Sequence, residues 1–284
     1  MSSIVCLETL KAMKAYHNQL PPGQKVALVP TMGSLHDGHL ALVKEAKRRA
    51  QVGIVSIFVN PLQFGPHEDY EKYPRDLKSD LQKLEPLEPL TVFAPLVTEM
   101  YPRGPSRTVL TMPSMTNVMC GLGRPGHFDG VATVVCKLFN IIRPDLALFG
   151  KKDAQQLAII RQLTRDLNFP VEIVGVPTVR EPSGLAMSSR NQYLTPNQKE
   201  QAAFLYRALL AGKTLFDGGE RHAEKLMREV ARILQEHHIE PEYISLVDYD
   251  TLAPVNTLVA SPVILALAAP IGRARLIDNV VLEP

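Results

Sequence analysis

The stretch Pro30–Val43, PTMGSLHDGHLALV, decides how this chain is read. It continues a short apolar run, Lys25 to Val29 (KVALV), that reads as a strand. It leads into Gly38 to Ala50, where Leu42, Val43 and Ala46 share one helical face and Lys44, Lys47 and Arg48 the other. His36 and His39 therefore stand where a buried strand gives way to a helix. Gly33 lets backbone or ligand approach closely, and Gly38 removes a side chain just before His39. A helix N-terminus offers unpaired N–H groups and partial positive charge, a natural anion site, and two imidazoles beside it can donate hydrogen bonds to phosphate oxygens. Read as a metal pair, HxxH lacks a carboxylate or third histidine at a familiar spacing.

Outward from this stretch the alternation continues. Gly53 to Val59 is β-branched and reads as a second strand. Helix is expected over Pro74 to Leu87, strand over Leu90 to Ala94, and irregular chain over Tyr101 to Met119. A long helix is expected from Asp129 to Ile142, stopped by Pro144. Strand, helix and strand follow at Leu146 to Phe149, Asp153 to Leu167 and Val171 to Val176. Strands apolar nearly throughout, alternating with helices, predict an α/β parallel sheet covered on both faces. In such a sheet ligands bind beyond the carboxyl ends of the strands, which is where His36 and His39 fall.

After Val176 the texture changes. Thr178 to Thr195 reads as a long loop, followed by helices at Pro196 to Phe216 and Ala223 to Glu236. Short strands are expected at Tyr243 to Val247, Pro262 to Ala268 and Arg275 to Val281. These predict a domain over residues 1–177 and a smaller α+β domain over 178–284.

The 284 residues carry a formal net charge of +2, too near neutral to make nucleic acid or an anionic membrane the main partner. Cys6, Cys120 and Cys136 are odd in number and widely spaced, so reduced thiols and a cytoplasmic location are expected. No signal peptide is expected at the N-terminus. No apolar run approaches the ~20 residues of a membrane span. Two nucleotide motifs are declined. Gly121–Gly126 fits GxGxxG, with Asp145 downstream, but no strand precedes it. Gly212-Lys213-Thr214 echoes a P-loop, but Arg207 stands where its first glycine belongs.

HDGH resembles the HxGH signature of the nucleotidylyltransferase superfamily. PTMGSLHDGHLALV, SIFVNPLQF, YPRDLKSD, RPGHFDGVATVVCKLFNIIRPD, FGKKDAQQL and GLAMSSRNQYLT occur in that order from about Val26 to Leu194, with a weaker echo in ARLIDN. Together they closely resemble the pantoate–β-alanine ligase family. The resemblance implies a Rossmann-like N-terminal domain and a smaller C-terminal one, ATP as substrate with Mg2+, and a homodimer. It implies a two-step reaction: pantoate attacks the α-phosphate of ATP and displaces pyrophosphate, then β-alanine attacks the pantoyl adenylate and releases AMP.

Carried over by motif, His36 and His39 would stabilise charge on the α-phosphate, with Lys152 as a third catalytic group and point cation. Met32 and Gly33 match ATP-contacting backbone. Gln63 and Gln156 match the glutamines that hold pantoate, where a neutral amide both donates and accepts. Gly150, Lys152 and Asp153 follow a strand end, with Asp153 facing the ribose or capping the next helix. Ser188, Ser189 and Arg190 resemble a lid that binds the β- and γ-phosphates, and Val179 and Met187 belong to the same implied ATP site. The resemblance assigns no residue to the metal. The family commonly has Glu where this chain has Lys151, and again where it has Cys120. The competing readings are a nucleotidylyltransferase that leaves the nucleotide on its product, and a non-catalytic nucleotide-binding regulator. The paired glutamines oppose the first reading, and the intact HxGH opposes the second.

Overall fold

The computed structural model describes residues 3–66, 68–104, 108–257 and 261–283. The chain opens with β1 (Ile4–Leu7) and α1 (Leu10–Asn18), then β2 (Val26–Thr31), α2 (Asp37–Arg49), β3 (Val52–Ile57), α3 (Leu77–Leu84) and β4 (Leu90–Phe93). Three single-turn helices follow, α4 (Val97–Met100), α5 (Pro113–Thr116) and α6 (Cys120–Gly123). Then come α7 (His127–Ile142), β5 (Leu146–Gly150), α8 (Ala154–Asp166), β6 (Glu172–Val176), α9 (Pro196–Asp217) and α10 (Ala223–Glu236). The strands β7 (Tyr243–Asp248), β8 (Val263–Ile271) and β9 (Ala274–Leu282) close it.

Most expected elements stand where the apolar pattern put them. The first strand is an addition to that pattern: β1 is apolar throughout but only four residues long, and it pairs with β4 at the sheet edge, with Val5 and Cys6 exposed. The helix expected to run to Leu87 stops at Leu84, because Pro86 cannot donate to the ladder, and a 3-10 turn, Glu85–Leu87, takes over. Helix α7 ends in a left-handed Arg143 at φ 53°, immediately before Pro144. In the irregular 101–119 stretch, residues 105–107 lie outside the described residues.

The residues form two compact units: Met1–Thr116, Arg124–Gly150 and Ile159–Val176 in the first, Asn117–Gly123, Lys151–Ala158 and Pro177–Pro284 in the second. The first holds a six-stranded sheet in the order β1-β4-β3-β2-β5-β6. Every pairing in it is parallel. Ala27, Leu28, Ile54 and Leu148 are fully buried, which is why these strands are apolar on both faces. The chain builds outward from β2 through β3 and β4, then restarts on the other side with β5. The order reverses between β2 and β5, and in such sheets the crevice beyond the carboxyl ends at that reversal is the ligand site. At the opposite end Asp145 Oδ2 accepts the Val26 N–H at 2.7 Å, a structural use that explains the decoy acid.

In the second unit β7, β8 and β9 form an antiparallel sheet against which α9 and α10 pack. Gly212 lies so close to it that a Cβ there would meet Leu265 Cδ2 at 2.8 Å. The P-loop echo is thus a helix–sheet contact inside α9, and Lys213 is ion-paired with Asp217 one turn on. The expected 178–195 loop is tied down. Met187 N–H donates to the Val179 carbonyl at 3.0 Å, Arg180 bridges Ala186, and Ser189–Tyr193 forms a 3-10 turn. Backbone pairing of this kind leaves no side-chain periodicity to read.

Candidate active site

Beyond β2 the backbone is bent by two successive left-handed residues, Gly33 at φ 80° and Ser34 at φ 52°. Thr31 Oγ1 donates to the Ser56 carbonyl at 2.7 Å and accepts the Gly33 N–H at 3.2 Å, fixing the start of the bend. Asp80, 2% exposed, accepts the Ser34 N–H at 2.9 Å and the Leu35 N–H at 2.7 Å. Burial pushes the Asp80 carboxyl above its ordinary value, opposed by those two N–H groups and by Lys83. A Cβ on Gly33 would stand 2.8 Å from Asp80 Oδ2, so the position needs glycine for space as well as for φ.

His36 is the N-cap of α2: its Nδ1 accepts the Gly38 N–H at 3.1 Å. His39, in the first turn, reaches back so that its Nδ1 accepts the His36 N–H at 3.3 Å. The pair reproduces a capping box in imidazole form. The rings lie 4.1 Å apart at 40°. Because each Nδ1 accepts from a backbone N–H, the hydrogen bonding assigns the ring proton to Nε2 in both.

Gln63, 8% exposed, sits in the single-turn 3-10 segment Pro61–Gln63 that follows β3. Its Oε1 accepts from Asn60 Nδ2 at 3.2 Å, and its Nε2 lies 3.1 Å from Met32 Sδ. The first unit therefore brings Met32, Gly33, His36, His39 and Gln63 into one connected region. The Gln63 carbonyl accepts from His127 Nδ1 at 2.7 Å, so His127 carries its proton on Nδ1, and its Nε2 accepts from Arg124 at 2.9 Å. Arg124 forks onto Glu68 at 2.6 and 2.7 Å. Burial raises the Glu68 pKa, but the hydrogen bonds and charge of Arg124 outweigh it and hold the carboxyl below its ordinary value. Asn60 Nδ2 also reaches the Gly130 carbonyl at 3.1 Å, and a Cβ on Gly130 would collide with the Leu62 carbonyl. Glycine there is what lets α7 pack onto the glutamine turn.

In the second unit, Lys151–Asp153 is a 3-10 turn leading from Gly150, the last residue of β5, into α8. Asn279 Nδ2 donates to the carbonyls of Lys151 and Lys152, at 3.0 and 2.8 Å. Its neighbour Asp278, 4% exposed, forks onto Arg180, whose guanidinium lies 3.4 Å over the Tyr206 ring. Adjacent residues of β9 thus hold both the Lys152 turn and the segment carrying Val179, Met187 and Ser188–Arg190. Ser188 caps that segment's 3-10 turn by accepting the Arg190 N–H at 3.2 Å. In α8, Gln155 is buried and spent on backbone: its Oε1 accepts from Cys120 N at 3.0 Å and its Nε2 donates to Val118 O at 2.8 Å. Gln156 beside it is half-buried. Cys120 Sγ lies 3.0 Å from the Tyr243 hydroxyl and 3.6 Å from Arg275, whose Nε donates to Glu242 at 2.7 Å.

Asp80, Lys83, Asn60, Arg124, His127, Gln155, Asp278 and Asn279 were not singled out from the sequence. All but Asn60, Gln155 and Asn279 are charged residues or histidine, and all are types that usually read as solvated surface. For all but Lys83, which follows YPRDLKSD, the available signal was their place inside the quoted motifs.

A family model described as pantoate-beta-alanine ligase matches residues 5–281. The pantothenate synthetase of Carboxydothermus hydrogenoformans is 54% identical over 280 residues, which cover 96% of this chain and 97% of that one. The crystal structure of pantothenate synthetase from Thermus thermophilus superposes with a TM-score of 0.90 at 45% identity, covering 99% of this chain and 100% of that one. The pantoate-beta-alanine ligase of Francisella tularensis, solved in complex with beta-gamma ATP and beta-alanine, gives 0.81 at 36% identity, covering 99% of this chain and 98% of that one. With the model spanning nearly every residue, the chain belongs to the pantoate–β-alanine ligase family.

Proposed function

We propose that this protein joins pantoate to β-alanine at the cost of ATP, through a pantoyl adenylate. In the first step a pantoate carboxylate oxygen bonds to the α-phosphorus and the bond to the bridging oxygen breaks, releasing pyrophosphate. In the second the β-alanine amine bonds to the activated carbonyl carbon, a proton leaves the nitrogen, and AMP departs. The observation that carries this reading is the histidine pair. Two neutral rings, each with its proton held on Nε2, stand at a helix N-terminus beyond the carboxyl end of β2. Donors fixed before the reaction stabilise charge that gathers on a phosphoryl group, typically by ~2.7–4 kcal/mol each.

In this reading Met32 and Gly33 present backbone to the nucleotide, and Gln63 and Gln156 hold pantoate. Gly150 leaves room at the strand end. Lys152 neutralises phosphate charge and is the third catalytic group. Asp153 faces the ribose, Val179 and Met187 line the nucleotide, and Ser188, Ser189 and Arg190 bind the β- and γ-phosphates. Among the described residues no group of three or more His, Cys, Asp or Glu could hold a metal. Magnesium ordinarily keeps several waters and takes one or two carboxylates beside substrate phosphates, so in this reading it arrives with the nucleotide as MgATP. The homodimer and the cytoplasmic location are carried over with the family.

Pantoate-dependent exchange of labelled pyrophosphate into ATP, measured without β-alanine, tests the reading. Exchange is expected, with AMP and pyrophosphate as the nucleotide products of the full reaction. ADP and phosphate instead would sink it.

A further inference from the structure

The YPRDLKSD motif, Tyr73 to Asp80, has no part in the reaction as described, yet its residues and Lys83, three positions on, form one device. Tyr73 is buried. Arg75 turns back to clasp the preceding chain, donating to the carbonyls of Tyr70 at 2.7 Å, Tyr73 at 3.2 Å and Glu71 at 3.3 Å. Asp76 caps α3 by accepting the Ser79 N–H at 3.0 Å. The start of α3 is therefore fixed in register. One and two turns in, Asp80 and Lys83 share a helix face. Asp80 accepts the N–H groups of Ser34 and Leu35, and Lys83 Nζ donates to the Leu35 carbonyl at 2.8 Å. The Leu35 peptide groups are held from both ends, N–H and C=O, and the next residue is His36.

We propose that Asp80 and Lys83 are positioning residues that lock the left-handed Ser34–Leu35 bend and thereby aim the His36 and His39 rings. The inference rests on the role given to those histidines above. A left-handed non-glycine residue such as Ser34 is held only where its surroundings over-determine it, and here the buried carboxylate does so. Without it the bend relaxes toward ordinary backbone, the N-cap of α2 shifts, and the Nδ1 contacts that set both tautomers loosen.

Asp80→Asn keeps the shape but turns one amide N–H₂ toward a backbone N–H. Lys83→Met removes the ammonium from an exposed position, so that variant remains foldable if Asp80→Asn does not. In single-turnover measurement of adenylate formation each is expected to slow the step ~10–100-fold, the size of a sub-ångström to ångström misplacement. The ATP dissociation constant is expected to change only about 2–3-fold, since uniform binding is largely kept. In a His39→Ala background the added loss should shrink to about 2–3-fold, because residues acting as one unit are not additive. A full rate in both folded single variants, or the same fold-loss in both backgrounds, overturns the proposal. Should His39→Ala alone keep its full rate, the histidine reading fails, and ring 15N spectra of His36 and His39 then decide the positioning role. A mixed tautomer in Lys83→Met or Asp80→Asn supports positioning, and an unchanged Nε2–H signature in both overturns it.

Discussion

His39 Nδ1 accepts the backbone N–H of His36 at 3.3 Å, while His36 Nδ1 accepts that of Gly38 at 3.1 Å. The same atoms cap α2 and set the tautomer of both rings, so in the proposed reading folding and chemistry use opposite nitrogens of one side chain. The two uses can be separated. Asn is a strong N-cap, so His36→Asn should keep the helix and lose the Nε2 donor. Its melting temperature should stay near that of the parent, while adenylate formation slows roughly 10²–10³-fold, the usual loss for one such donor. His36→Ala should lose the rate and also about 0.5–2 kcal/mol of stability for the missing cap. Calorimetric melting beside quench-flow checks this. A His36→Asn enzyme at parental speed would show His36 to be a cap only.

Gly130 supports Gln63 by having no side chain. Gly130→Ala would press a methyl against the Leu62 carbonyl and displace the glutamine turn. Overpacking of this kind costs typically ~1–3 kcal/mol. The dissociation constant for pantoate should rise at least ~10-fold if a hydrogen bond to Gln63 is lost, with ATP affected far less. Isothermal calorimetry with each substrate distinguishes this from general loosening, which would weaken both together.

The adjacent glutamines of α8 should fail in different ways. Gln155 is committed to the backbone at Cys120 and Val118, so Gln155→Ala strands two buried groups and should cost about 1–3 kcal/mol of stability. Gln156→Ala should leave urea unfolding nearly unchanged and raise the pantoate KM. Reversed outcomes would move the pantoate contact to Gln155.

Glu68 sets a pH dependence. Its folded pKa lies below the ordinary 4.5, so the stabilisation is fully present above that value and is lost as the pH falls through the folded pKa. Glu68→Gln should therefore be less stable than the parent at neutral pH, with the gap closing in acid below the carboxylate range. Urea unfolding at neutral pH and again in that acid range measures it. A gap independent of pH would mean the Arg124 contact is steric.

The sequence by itself determined the parallel sheet, because strands buried on both faces must be apolar throughout, as Val26–Val29 and Ile54–Val55 are. It also determined that the HxGH residues fall at a strand exit, since that follows from local chain order alone. The edge strand β1 was not legible, because four apolar residues are too short a run for periodicity to tell a strand from the start of a helix. Tertiary structure alone decided which polar residues hold the site together. Asp80 lies 46 residues from Ser34, and Asn279 lies 127 residues from Lys152. A buried carboxylate or amide in sequence looks like any surface one, and only the fold shows which backbone groups it satisfies. The same holds for Gln155 and Gln156: the letters are identical, and burial against the Val118–Cys120 backbone is what gives them different work.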